Sequence, residues 1–535
     1  MPQFALGIDF GTNSVRALVV DCADGRELGT GVVTYASGDE GVISDPHDNN
    51  LARQNPADYE PAMREAIAEA MSAANVNELA GIGVDTTGST PIPVDQNGTP
   101  LGMHQEFKGH LAAYAWLWKD HSAFAEAERI TAHAREKEMP YLAKCGGVYS
   151  SEWFWSKALH CARTAPDVFN AAHTWMECCD VVTGFLTGLG TNVRRSTCAA
   201  GHKGMYSDAW GGYPDRKFLE EISNGLATLL DRLPAKTYTS DHRAGTVPVE
   251  IARSLSLPAG TPVAVGTLDA HAGAVASGVA PGRMVKIIGT STCDILVGTN
   301  VPDIPGVAGI VEGSVIPGLT GIEAGQSAVG DIFAWWSRVC GRSQGELSKD
   351  AEKLRAGESG LLALDWNNGN RNVLADPLLT GLLVGQTLHT TPAEIYRALI
   401  EATAFGASKI IKRIEEHGIE IREIVACGGI AEKSSLTMQI YADVLNRPIR
   451  LSRSSQAPAL GAAIYGAVVG GVHKDVQSAQ AAMTGFRDLE YRPEAHSAGT
   501  YQKLFEIYEH QHDAYGVPDL MPVMKRLLRV RTLSR

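Results

Sequence analysis

The sequence predicts an α/β protein of two duplicated domains with a ligand cleft between them. Three observations carry this expectation. A hydroxyl-rich turn between two apolar strands occurs twice, as Gly11-Thr12-Asn13-Ser14 and as Gly289-Thr290-Ser291-Thr292. After each turn come a helix, a further strand and a glycine-bearing turn in the same order, so the repeat extends beyond one motif. A breaker cluster, Leu257-Pro258-Ala259-Gly260-Thr261-Pro262, separates the copies and sets the expected domains at residues 1–256 and 257–535. A chain of 535 residues accommodates two such domains. Clefts at domain interfaces are the usual place for small ligands.

The elements follow in order. Phe4-Ala5-Leu6-Gly7-Ile8-Asp9-Phe10 and Val15-Arg16-Ala17-Leu18-Val19-Val20 read as strands, and a third is expected near Thr30 to Tyr35. A helix opens at Asn55-Pro56-Ala57-Asp58, with Asn as cap and Pro at the first helical position. Gly81-Ile82-Gly83-Val84-Asp85 is the next strand, ending in the polar turn Thr86-Thr87-Gly88-Ser89-Thr90. In the second copy, Met284 to Ile288 and Asp294 to Val297 flank the turn. Thr391-Pro392-Ala393-Glu394 is a capping box opening a helix with the apolar stripe Ile395, Leu399, Ala402, Ile410 and Ile414, and Gly418 ends it. Glu423 to Cys427 is a strand that runs into Gly428-Gly429.

Composition removes several classes of function. The formal net charge of −13 lacks the basic footprint that nucleic-acid binding needs. The stretch Lys525-Arg526-Leu527-Leu528-Arg529-Val530-Arg531 reads as the solvated end of a last helix rather than an RNA or membrane patch. The start reaches Asp9 without a basic region, unlike a secretory signal, and no uncharged apolar stretch is long enough to span a bilayer. Nine scattered cysteines, an odd number, read as reduced and mostly buried, which places the chain in the cytoplasm.

Chemistry concentrates at four places. In Asp9-Phe10-Gly11-Thr12-Asn13-Ser14 a tight turn brings backbone N–H groups to an anion, the hydroxyls add donors, and Asp9 is placed to hold Mg²⁺ through water. The same residues also suit a plain β-turn, and they form neither a P-loop nor a dinucleotide fingerprint. Gly289 and Thr290 offer a second cradle, and two cradles suit a triphosphate better than one phosphate. Gly266-Thr267-Leu268-Asp269-Ala270-His271-Ala272-Gly273 puts Asp269 where a strand opens into a turn or helix. There it suits either a helix cap or a base for a hydroxyl attacking a γ-phosphate. His271 reads as a satisfied histidine, since no metal-ligand partners stand at matching spacing. Gly428-Gly429, followed by Lys433, allows a flat base to lie against backbone.

These motifs resemble the FGGY carbohydrate kinases, which share the actin-like (ribonuclease H-like) ATPase fold. The resemblance rests on Asp9 to Arg16, Gly266 to Gly273, Gly428-Gly429, Ser435 to Pro448 and Ala457-Pro458-Ala459-Leu460-Gly461-Ala462-Ala463. Within that family the bacterial ribulokinases are most similar, through Leu51 to Tyr59, Gly83 to Thr90, Ser150 to Trp155, Gly201 to Met205 and Asp365 to Arg371. The resemblance implies ATP and Mg²⁺ as cofactors and a sugar as substrate, as in arabinose catabolism, and it is compatible with a homodimer. It implies Asp269 as general base, and Gly11, Thr12, Asn13, Ser14, Arg16, Gly289 and Thr290 on the phosphates. Gly428, Gly429 and Lys433 fall near the adenosine, and Asp9 on the metal. Lys203, Glu323 and Thr90 join Asp269 on the sugar side, with Trp153 and Trp155 as lining candidates. Lys203, in a Gly-flanked loop, is otherwise expected to be solvated.

Kinases of xylulose or a polyol such as ribitol are the alternatives within this class. Outside it stand a non-catalytic actin-like ATPase switch and a sugar-binding regulator without turnover.

Overall fold

A computed structural model describes residues 3–516 and 521–533. Met1 and Pro2 of the N-terminal reading, and the side chains of Arg529 and Arg531 in the basic stretch, lie outside the described residues. The chain divides into two compact units. One runs up to Gly278 and includes 309–321 and 456–484, and the other takes 279–308, 322–455 and 485 onward.

The first unit contains a sheet in the spatial order Arg243–Thr246, Pro262–Ala264, Gly81–Thr86, Phe4–Phe10, Ser14–Asp21, Glu27–Thr34. Phe4–Phe10, Ser14–Asp21 and Glu27–Thr34 form the expected antiparallel meander, and Gly81–Thr86 lies parallel to Phe4–Phe10. The helix Tyr59–Ala74 covers one face with Ala62, Met63, Ala66, Ile67 and Ala70, all buried at helical spacing. The other face is covered by Ala457–Val469, whose small residues let backbones approach closely. A Cβ on Gly83 would sit 1.8 Å from the Ala462 carbonyl oxygen, so this strand position has no room for a side chain.

The domain boundary differs from the expected one at residue 257. Pro262–Ala264 and Thr267–Leu268 both pair with Gly81–Thr86, and the helix Asp269–Ala276 packs on Ala457–Val469. The breaker cluster is therefore a loop inside the first unit.

The second unit repeats the plan. Its sheet includes, in spatial order, Thr320–Ala324, Thr292–Gly298, Arg283–Ile288, Glu423–Cys427, Ile449–Ser452 and Phe486–Tyr491. Again an antiparallel hairpin passes, through its first strand, to a parallel neighbour. The capping box at Thr391 is formed as read, and its helix, Pro392–Glu416, is followed by Gly418 at φ 82°. The two hairpins differ by one residue. In the first, Gly11 N–H donates to Ser14 O, whereas in the second Gly289 N–H donates to Ser291 O.

No helix among the described residues is long and apolar enough to cross a membrane. None of the nine cysteines forms a disulfide, and only Cys293 and Cys340 are part-exposed. The basic C-terminal stretch lies on the helix Met521–Leu533, where Lys525 pairs with Asp376 at 2.7 Å.

Candidate active site

The N-terminal turn is built by its flanking strands. Asn13 is exposed, Gly11, Thr12, Ser14 and Arg16 are part-exposed, and Asp9 is buried at the strand end. The Trp118 indole donates to Thr12 Oγ1 at 3.0 Å, and Gln54 Nε2 donates to the Thr12 carbonyl at 2.8 Å. These bonds fix the turn while leaving the Thr12 hydroxyl hydrogen available to an acceptor. Arg16 lies 3.8 Å from Asp9. Burial pushes the Asp9 carboxyl above the usual carboxylate range, and Arg16 offsets part of that rise.

Parallel register brings two more carboxylates to this edge. Asp85 stands opposite Asp9 on one side and Thr267 on the other, two residues before Asp269. Asp269 is the first residue of its helix, part-exposed, and accepts a hydrogen bond from Ala270 N–H at 2.7 Å. Asp85, the fifth residue of the strand Gly81–Thr86, is fully buried, and neither oxygen receives a hydrogen bond from an N–H or hydroxyl group. Burial, then the charges of Asp9 and Asp269, push its carboxyl well above the usual range, while Arg16 pulls it down. A signal for it was present in the sequence: Leu6-Gly7-Ile8-Asp9 and Ile82-Gly83-Val84-Asp85 share one pattern of apolar, Gly, apolar, Asp.

The turn after Asp85 is held rigidly from behind. Glu177 accepts from Ser89 Oγ at 2.6 Å and from Thr90 N–H at 2.8 Å. Lys157, fully buried, donates to the carbonyls of Ser89, Trp116 and Leu117. The Thr90 hydroxyl is wholly buried and lies 2.8 Å from that of Thr87, so its evident job is inside the turn.

Lys203 departs from the sequence reading. It occupies the last turn of the helix Thr197–Gly204 instead of a loop, and is 4% exposed rather than solvated. Its ammonium sits 5.7 Å from the centre of the Trp153 ring. Trp155 is a core residue, fully buried, with its indole donating to Gly204 O. The Lys203 helix meets the Asp269 helix through His202 and His271, whose ring centres are 4.4 Å apart. Folding also gives His271 the neighbours that sequence spacing does not show. Ligand atoms of Cys198, His202 and His271 all lie within 4.8 Å of one another, and His202 Nε2 is 3.1 Å from Ser314 Oγ.

In the second unit, Gly289 is part-exposed and Thr290 exposed, at the tip of their hairpin. The Thr290 carbonyl accepts from Val329 N–H at 2.7 Å, which ties the tip to the start of the helix Gly330–Cys340. The strand Glu423–Cys427 runs parallel to Arg283–Ile288, so Gly428 comes beside this turn. Gly428 has φ 95°, and a Cβ there would meet the Ile288 carbonyl at 2.7 Å, so only glycine fits. Gly429 and Lys433 are exposed, and nothing lies within 4 Å of a Cβ built on Gly429. Glu323 lies on Thr320–Ala324 and is 9% exposed. Asp365, part of a resemblance-bearing stretch, is a core acid held by Gln326 and Tyr508.

Residues 4–276 match the N-terminal domain of the FGGY family of carbohydrate kinases, and residues 284–469 match its C-terminal domain. The chain belongs to this family. A ribulokinase from Shouchella clausii (strain KSM-K16) is 39% identical over 565 aligned positions, covering 100% of this chain and 99% of its own length. One from Mycolicibacterium smegmatis is 40% identical over 555, covering 99% and 97%. Among solved structures, xylulose kinase from Rhodospirillum rubrum superposes with a TM-score of 0.78 at 22% identity, covering 98% of this chain and 100% of that one. Glycerol kinase from Plasmodium falciparum with ADP gives 0.77 at 17%, covering 95% and 98%. At those identities the structures speak for the fold alone, the two-domain actin-like α/β fold of the FGGY kinases.

Each unit of this FGGY kinase gathers part of the expected site. The first assembles Asp9, Gly11 to Ser14, Arg16 and Asp269 along one sheet edge, with the Lys203 helix packed beside Asp269. The second sets Gly289 and Thr290 next to Gly428 and Gly429. Asp85, Glu177 and Lys157 are the additions that the fold makes.

Proposed function

We propose that this FGGY kinase is an ATP-dependent ribulokinase, acting in the cytoplasm as in arabinose catabolism. It would transfer the γ-phosphoryl group to the C5 hydroxyl of ribulose, giving ribulose 5-phosphate. The observation that carries the reading is the part-exposed Asp269 carboxylate, set on the same sheet edge as a hydroxyl-rich phosphate turn. Full-length identity to ribulokinases supports the choice of sugar.

In this reading Asp269 accepts the proton of the C5 hydroxyl as that oxygen attacks the γ-phosphorus. The bond from that phosphorus to the bridging oxygen breaks and ADP leaves. Thr12, Asn13, Ser14, Arg16 and Thr290, with the backbone of Gly11 and Gly289, hold the phosphates in line, and Gly428, Gly429 and Lys433 take the adenosine. Lys203 and Glu323 hold sugar hydroxyls, and Trp153 walls the Lys203 ammonium. Positioning and charge neutralisation are most of what phosphoryl transfer asks of a protein. The first unit also fits a divalent cation, because carboxylates outnumber the one arginine there and Asp85 has two oxygens without donors. Asp9 would hold Mg²⁺, which when bound neutralises charge on the β- and γ-phosphates.

The test is ADP release from ATP with and without ribulose. Release that depends on ribulose and yields ribulose 5-phosphate is the expected result. Hydrolysis indifferent to sugar would favour an actin-like switch, and ribulose binding without ADP release would favour a regulator.

A further inference from the structure

Asp85 takes no part in the proton or phosphoryl transfer. It is completely buried at the end of Gly81–Thr86, and no donor reaches either of its oxygens. A buried carboxylate in that condition is costly unless something else supplies a partner. Its surroundings offer only the carboxyl of Asp9, itself an acid. The nearest charges are Asp9 and Asp269, with Arg16 as the one cation acting on it. Asp9 and Asp85 stand directly opposite in register on adjacent parallel strands, near enough for their carboxyls to share a proton. The turn that follows Asp85 is pinned at Ser89 and Thr90 by Glu177 and at Ser89 by Lys157, so Asp85 has little freedom to turn away.

From this geometry we infer that Asp85 is a second protein ligand, beside Asp9, for the divalent cation that accompanies the nucleotide. The inference rests on the kinase reading above and deepens it. Mg²⁺ prefers hard oxygen donors and takes one or two carboxylates while keeping its remaining waters, which matches a pair of carboxylates at one sheet edge. Arg16 then balances Asp9 while the cation is away. Asp85 is not asked to touch the sugar.

The experiment measures metal binding to the full-length protein in the presence of ADP and without sugar, so that no turnover enters. Mn²⁺ serves as the probe, followed by electron paramagnetic resonance, alongside the rise in Tm on adding Mg²⁺. Asp85→Asn is expected to weaken Mn²⁺ binding at least about tenfold, in keeping with losses seen when metal-site groups are removed. It should also abolish most of the Mg²⁺-dependent rise in Tm. Its Tm without metal should equal or exceed that of the wild type, because a buried like charge has gone. Mn²⁺ affinity within twofold of wild type would overturn the inference and leave a shared proton as the partner of Asp85. Asp85→Ser, smaller and neutral, provides the same comparison should the Asn variant not fold. Failure of the kinase reading would look different, since the wild type itself would then bind no Mn²⁺ with ADP.

Discussion

Asp269→Asn is expected to lower turnover by at least about 10²-fold, the lower range of what a positioned general base contributes. ATP affinity should stay within about twofold of wild type, since no phosphate or adenosine contact is assigned to this side chain. The substitution keeps the local geometry. Asp269 accepts a hydrogen bond from Ala270 N–H, and an Asn oxygen accepts the same bond. The helix start is therefore kept while the proton acceptor is lost. Steady-state kinetics with ribulose, together with calorimetric ATP binding, would check both halves. A variant that kept more than a few per cent of wild-type kcat would remove Asp269 from the role of base.

Lys286→Met should unfold the second unit more readily than any surface change in it. Lys286 and Asp294 face each other across the hairpin that carries Gly289 and Thr290, with Nζ 2.7 and 2.8 Å from the two carboxylate oxygens. The side chains are 1% and 0% exposed. Removing one member of such a pair strands the other charge in a low dielectric, at about 3–5 kcal/mol. Replacing both, as in Lys286→Met with Asp294→Leu, should recover most of that loss, because the uncompensated charge disappears. Urea denaturation of the wild type and the two variants would show it. A loss under about 1 kcal/mol for Lys286→Met alone would mean that water reaches Asp294 and that the pair is not the hairpin's anchor.

Much of the fold was legible because local signals agreed with one another. The capping box at Thr391 and Glu394 and the turn at Gly11 to Ser14 stand where the chain folds as read, and Asn55 caps a short 3-10 turn that leads into the helix Tyr59–Ala74. What failed was a matter of long-range pairing. The Pro and Gly cluster from 257 to 262 looks like a linker, yet the strands after it close the first sheet against Gly81–Thr86. Laying the two turn motifs residue on residue hides that the second hairpin is one residue tighter, since both lengths end in a hydroxyl. Flanking glycines suggest a solvated Lys203, whereas its burial comes with Trp153, distant in sequence.

For the site, residues inside recognisable turns were found and those behind them were not. Asp9 and Asp269 sit in glycine-rich motifs. Asp85, Glu177 and Lys157 gain meaning only from register and burial, which no single segment reveals. Thr90 was chosen for its place in the polar turn, but its hydroxyl bonds within that turn.

The central claim is that ribulose is the phosphoryl acceptor. An ATP-coupled assay over ribulose, xylulose and ribitol, each run to a kcat/KM, addresses it most directly. The expected kcat/KM for ribulose is at least about tenfold above the others, a difference of about 1.4 kcal/mol in transition-state binding. A higher kcat/KM for xylulose or ribitol, or no acceptor-dependent ADP release with any of them, would contradict it.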